Sequence, residues 1–174
     1  TSICEPLSEK EARQYSPLTL AFLGDAVYSL LVRNMLALSA NKPTGKLHKE
    51  SISYVNAAFQ AQAVKELLPH LTENEEYIFK RGRNAHSGHV PKNQSDADYR
   101  YATGLETLYG YLYLIGDFKR ILYIFNISTG EEYLEKYING PIDMTRPDFS
   151  DSKGDIYCLP LTVNTFGLVY NKDM

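Results

Sequence analysis

Cysteine is scarce in this chain of 174 residues: Cys4 and Cys158 lie far apart and form no CxxC or Cys/His ligand spacing. That usage points to a reducing compartment and away from a structural zinc. No uncharged apolar run reaches the roughly 18 residues that a membrane-spanning helix needs. The N-terminus also lacks a basic region followed by an apolar core, so neither a membrane span nor a signal peptide is expected. Internal repeats and low-complexity segments are absent, and no Ser-His or Cys-His pairing offers a catalytic nucleophile. What remains is a chain with 44% apolar residues, enough for the core of about one soluble globular domain.

Charge is unevenly divided. Residues 1–127 hold 14 Lys+Arg against 13 Asp+Glu, whereas residues 128–174 hold 4 against 8. The character of the sequence changes at the same place. Before Ile127 helical periodicities dominate; after it come Gly130, Gly140, Pro141, Pro147, Gly154 and Pro160, with short β-rich pieces such as IYCLPLTV and TFGLVYN. A boundary near Ile127 is therefore expected, giving a domain over 1–127 and a tail over 128–174.

Five helices are predicted in the first part: Ser16–Leu38, Gly45–Leu67, Glu73–Lys80, Ala97–Leu114 and Phe118–Phe125. Thr72 with Glu75 supplies a capping box for the third. In the second, Ile52, Val55, Phe59, Ala63 and Leu67 fall on one apolar stripe that reads as core. The expected class is all-α, with short β candidates confined to the tail.

Within LAFLGDAVYSLLVR, Leu20 to Arg33, Asp25 is the one carboxylate in an almost unbroken apolar run. A buried carboxylate is neutralised, paired or metal-bound. An Asp ahead of an apolar run is commonly a helix N-cap. Here, however, the run begins at Leu18, and the third position after such a cap would be Tyr28, so no capping box forms. A carboxylate in mid-helix is the sharper reading. Glu106, in LETLYGYLYL, has a similar setting, with Ala102, Thr103, Tyr109 and Gly110 one turn away. Small neighbours let another helix or a ligand approach, so Asp25 and Glu106 are candidates to converge on one hard cation, for which magnesium fits. The plainer alternative pairs Glu106 with Arg100 or Lys119.

Between these segments, residues 79–95 read FKRGRNAHSGHVPKNQS, with Lys80, Arg81, Arg83 and Lys92 set among Gly82, Asn84, Gly88 and Asn93 and no acid before Asp96. A basic, glycine-containing loop is a phosphate-binding footprint or a solvated face. His86 and His89 are three apart, a weak metal signal, and are assigned to RNA or solvent contacts.

Four ordered blocks, YSPLTLAFLGDAVYSLLVR, KPTGKLHKESISYVNAAFQAQAV, EEYIFKRGRNAHSGHVPKN and YRYATGLETLYGYLYL, resemble the Mini-III branch of the ribonuclease III family over residues 15–126. The resemblance implies an all-α endonuclease domain and a homodimer whose shared valley holds double-stranded RNA. It further implies a magnesium-dependent cut, with Mn²⁺ able to substitute, in the large-subunit ribosomal RNA precursor of the bacterial cytoplasm, and no membrane partner. It assigns Asp25 of LGD and Glu106 as catalytic and metal-binding, and Lys80, Arg81, Arg83, Asn84, Lys92, Asn93 and Arg100 as RNA-binding. Longer ribonucleases III carry further acids where this chain has Leu18, Ala21 and Thr103. The chemistry agrees, since a bound Mg²⁺ polarises a phosphate and activates water without a nucleophilic side chain, and A-form duplex is read by shape.

Residues 153–174 resemble a short segment of extracellular solute-binding proteins. The alternatives to the nuclease are a catalytically silent RNA-binding module of the same family, and small-molecule binding through the tail.

Overall fold

The computed structural model describes residues 5–85 and 95–130 and the backbone of two short strands, Cys158–Pro160 and Gly167–Val169. The chain divides into two compact units, Thr1–Gly130 and Glu131–Met174. The first is helical. Its elements are α1 (Glu9–Ala12), α2 (Pro17–Ser39), α3 (Thr44–Val55), α4 (Ala57–Leu67), α5 (Glu73–Arg83), α6 (Asp96–Leu114) and α7 (Phe118–Thr129), with a 3-10 turn over Leu68–His70. In the second unit, β1 (Cys158–Pro160) and β2 (Gly167–Val169) pair antiparallel, Cys158 opposite Val169 and Pro160 opposite Gly167. Most of the segment that resembles solute-binding proteins lies outside the described residues.

Local signals explain most boundaries. Ser16 caps α2 by accepting from the backbone N–H of Thr19, and Pro17 occupies the first turn, where its missing N–H is harmless. Thr72 and Glu75 form the expected capping box of α5. A second capping box, Ser8 with Glu11, starts α1, which the sequence reading omits although SEKE carries the signature. Gly130, at φ +69°, closes α7 in the left-handed conformation that glycine adopts without a steric cost.

One expected helix is two. The segment Gly45–Leu67 breaks at Asn56, whose backbone is extended and whose side chain accepts from the Phe59 N–H as the cap of α4. The break ends the predicted stripe: Ile52 is 52% exposed, while Ala63 and Leu67 are buried on a different helix. The buried face of α4 carries Ala57, Gln60, Ala61, Val64 and Leu67 instead.

The core is centred on α6, which packs against α2, α4, α5 and α7. From Ala102 to Leu112 every residue of α6 except Glu106 is buried. Facing it, α2 buries Leu20, Ala21, Gly24, Tyr28, Leu31, Val32, Met35 and Leu36. With 23 residues α2 is long and apolar enough to cross a membrane, but this stripe makes it a core helix, and Asp25 and Arg33 interrupt its apolar run. The Tyr28 ring packs tilted against Tyr109 and edge-on against Phe125, at centroid distances of 5.3 Å and 5.8 Å, and its hydroxyl donates to the Tyr54 carbonyl.

Glycine decides how close the helices come. A Cβ on Gly24 would strike the carbonyl of Glu106 and the backbone of Gly110, and one on Gly110 would strike the carbonyl of Leu20. The α2 and α6 backbones therefore touch directly. Glycine also admits side chains between α5 and α6, where Gly82 lies against the Thr107 side chain and Gly104 against the Phe79 ring. On the far side, Arg120 of α7 donates to both carboxylate oxygens of Glu75, at 2.7 and 2.8 Å, and to the His70 carbonyl, tying α7 to α5. Burial pushes the Glu75 carboxyl up, but the Arg120 and Thr72 hydrogen bonds outweigh it and hold it below the usual glutamate range.

Two glycine substitutions test this packing by thermal and urea unfolding. Gly24→Ala should destabilise by about 3 kcal/mol or more, because neither backbone can yield. Gly45→Ala, where nothing lies within 4 Å of the added carbon, should be neutral or stabilising by up to about 1 kcal/mol. Equal effects of the two would refute the backbone contact.

Candidate active site

The crossing of α2 and α6 delivers two carboxylates to one place. Asp25 follows Gly24, the glycine pressed on the carbonyl of Glu106. Both acids line a cavity of about 410 Å³ whose wall is shared by α2, α3, α4 and α6. Leu18, Ala21 and Thr103 line the same cavity. Among the described residues no group of three or more His, Cys, Asp and Glu side chains gathers anywhere, so Asp25 and Glu106 are a pair and not part of a larger acidic cluster.

The burial argument applies to the other member of the pair. Asp25 is exposed, as are Leu18, Phe22 and Ala26 around it, because this face of α2 is not covered by the rest of the described residues. Its apolar neighbourhood is a surface, so the expectation of a buried Asp25 is corrected, although its position in mid-helix stands. Glu106 is the withdrawn acid. Burial, followed by the negative charge of Asp25, pushes its carboxyl up to about 8, against a hydrogen bond from Gln60 that lowers it. Neither Arg100 nor Lys119 neutralises it: Arg100 pairs at 2.8 Å with Asp96 one turn away, and no ion pair joins Lys119 to Glu106.

The basic residues are arranged differently from the expected loop. Lys80, Arg81 and Arg83 form the last turn of α5, and Asn84 is its C-cap. Lys80 pairs with Glu76 at 2.7 Å. Arg81 donates to the carbonyls of Arg13 and Tyr15, both at 2.9 Å, so it clamps the segment that leads into α2. Arg83 lies over the ring of Tyr101 and donates to Asn84. Arg83, Asn84 and Arg100 come together with Asp96 and Tyr101 around a second cavity of about 350 Å³. His86, His89, Lys92 and Asn93 lie outside the described residues.

Two residues of the first cavity were missed. Gln60 is 1% exposed and points its amide at Glu106. The only sequence signal for it was a polar residue on the apolar face of α4, hidden by the assumption of one continuous helix. Phe22 is 84% exposed at the cavity's edge; its sequence setting reads as core.

The chain matches the Ribonuclease III domain over residues 18–117. It is 47% identical over 124 residues to a Mini-ribonuclease 3 of Thermoanaerobacter sp. strain X514, covering 71% of this chain and 87% of that protein. It is 49% identical over 121 residues to a Mini-ribonuclease 3 of Brevibacillus brevis, covering 67% and 90%. A crystal structure of a Fusobacterium nucleatum protein superposes with a TM-score of 0.62 at 34% identity, covering 68% of this chain and 94% of that one. The domain match falls within the helical unit.

The raised Glu106 carboxyl has a sign that can be measured. A carboxyl whose folded value exceeds its unfolded value stabilises the fold below the unfolded value and loses that contribution as pH rises through the folded one. In EDTA, the melting temperature of the wild type should therefore fall between about pH 5 and pH 9 more steeply than that of Glu106→Gln. Parallel profiles for the two proteins would show that Glu106 titrates normally.

Proposed function

Since the chain belongs to the ribonuclease III family, in its Mini-III branch, and is thereby an endoribonuclease, we propose that it cleaves double-stranded RNA with magnesium held by Asp25 and Glu106. The observation that carries this reading is the shared cavity of the two carboxylates at the α2–α6 crossing. The fit to a hard cation is chemical. Two neighbouring carboxylates, one of them withdrawn from water and raised by the other, are a pair that a divalent ion relieves. Magnesium takes one or two carboxylates and keeps several waters, which a donor set of this size and a cavity of about 410 Å³ accommodate. When bound there, the ion would supply Lewis-acid activation of a phosphodiester and of an attacking water.

The remaining roles belong to side chains. Asp25 faces solvent, where a backbone phosphate arrives, while Glu106 is fixed in the wall of the cavity. Arg83 and Arg100, at the second cavity, are placed to meet phosphates of an A-form duplex, whose recognition rests on shape and 2′-hydroxyls. Arg81 is committed to backbone carbonyls and enters the reading as a structural residue. The natural duplex in this proposal is the large-subunit ribosomal RNA precursor, supported by the Mini-III resemblance alone.

The proposal includes a homodimer. Phe22, exposed beside a cavity in the same face of α2, together with Leu18 at 40% exposure, is an apolar patch next to a hollow. A two-fold interface through this patch, the same on each copy, would cover Phe22 and Leu18 and leave the cavity beside them open to the RNA.

Asp25→Asn and Glu106→Gln should each lower cleavage of a long RNA duplex at least about a hundredfold, with duplex binding retained. The double variant should lose little more, since the two acids act as one unit. Comparable turnover by either single variant would overturn the assignment. Separately, Phe22→Ser should shift the protein from dimer to monomer in sedimentation, with cleavage lost in parallel; an unchanged dimer would place the interface elsewhere.

A further inference from the structure

Resting on the reading of Asp25 and Glu106 as a cation site, we propose that Gln60 is its positioning residue: the buried amide donates to the Glu106 carboxylate and holds it in the orientation that the ion requires. Three observations meet at this side chain. Gln60 is 1% exposed and lines the same cavity as the two acids. Its amide lies beside Glu106 in that cavity, and no Lys, Arg or His forms an ion pair with Glu106 among the described residues. Its Oε1 is buried with no hydrogen-bond partner.

The last point separates function from packing. A buried amide that satisfies one end and leaves the other unmet loses the desolvation of that oxygen without return. The rest of this face of α4 is Ala57, Ala61, Val64 and Leu67, among which Leu or Met would pack without that cost. Local rules broken without a packing gain are expected at working sites, and the gain proposed here is a donor for Glu106. Carboxylates that ligate metals are themselves held by hydrogen bonds from outer groups. The placement is built by the cap at Asn56: its side chain accepts from Phe59, its carbonyl accepts from the Gln60 N–H at 3.1 Å, and the new helix starts with Gln60 turned towards α6.

The test uses the full chain and Mg²⁺ alone as the probe. Gln60→Met and Gln60→Leu keep the bulk of the side chain and remove the donor and the orphaned oxygen together. Calorimetric titration of the metal-free variants should show Mg²⁺ binding weakened about tenfold or more. Cleavage should need correspondingly more Mg²⁺ and approach the wild-type rate at saturation, while the metal-free melting temperature is held or raised. A purely structural Gln60 gives the reverse pattern, a lowered melting temperature with unchanged Mg²⁺ affinity, and that result would overturn the proposal. In the wild type, the Gln60 side-chain amide resonances should shift with the Mg²⁺ binding midpoint, a readout that needs no variant to fold; resonances that stay fixed on saturation would also overturn it. A wild type that binds Mg²⁺ and cleaves duplex beside variants that do so equally well refutes Gln60 only, whereas a wild type that takes up no Mg²⁺ refutes the cation site and this inference together.

Discussion

The direct contact of the α2 and α6 backbones at Gly24 and Gly110 is the constraint from which the rest of this domain follows. Helices that carry ordinary side chains at their crossing pack with axes about 8–10 Å apart. Here two glycines remove the spacer, and the carbonyl of Glu106 occupies the space where a Cβ of residue 24 would stand. The residue after Gly24 is thereby brought beside the turn of α6 that carries Glu106. Two acids far apart in sequence become neighbours because a residue between them in space has no side chain.

That closeness sets the electrostatics. Glu106 is the one residue between Ala102 and Leu112 that is not fully buried on the hub helix, and it opens into the cavity. Its charge is disfavoured by burial and by Asp25 together. A functionless core would have resolved the conflict with an apolar residue or a paired cation. Instead the surroundings are small or uncharged, Ala102 and Thr103 on α6 and Ala21 on α2, with Gln60 as a polar neighbour. The same glycine device recurs on the opposite flank of α6, where Gly82 admits Thr107. The Thr107 hydroxyl lies 3.1 Å from the Pro17 carbonyl and 2.7 Å from the Thr103 carbonyl, joining the start of α2 to the hub. The frame around the acids is thus held on both sides by contacts that tolerate almost no added volume.

Basic residues illustrate how one composition can serve two ends. Lys80, Arg81 and Arg83 fall in the last turn of α5, where cations favour the helix dipole and the terminal carbonyls. Arg81 is turned inward to the carbonyls of Arg13 and Tyr15 and fixes the approach to α2, and Arg83 faces the cavity shared with Arg100 and Tyr101. A cluster of like charges in sequence therefore splits into a structural clamp and a cavity wall, a division that charge counting cannot see.

Sequence by itself determined the helical class, the capping box of Thr72 with Glu75, and the two carboxylates with mostly small neighbours one turn away. These are local properties, set by periodicity, by side-chain oxygens within reach of the next turn's N–H groups, and by the absence of competing chemistry. Where the 45–67 segment breaks was not legible, because Asn56 is tolerated in a helix as well as at its cap, and only packing of the two halves against different neighbours selects the cap. Nor was the exposure of Asp25 and Phe22 legible, since an apolar run looks the same whether its last face meets the chain's own core or remains open. The burial of Glu106, the placement of Gln60 beside it and the inward turn of Arg81 were decided by tertiary structure alone: each depends on which segment lies opposite, and at the acids that is set by the glycine contact between α2 and α6, where what matters is the space a missing side chain leaves for another backbone.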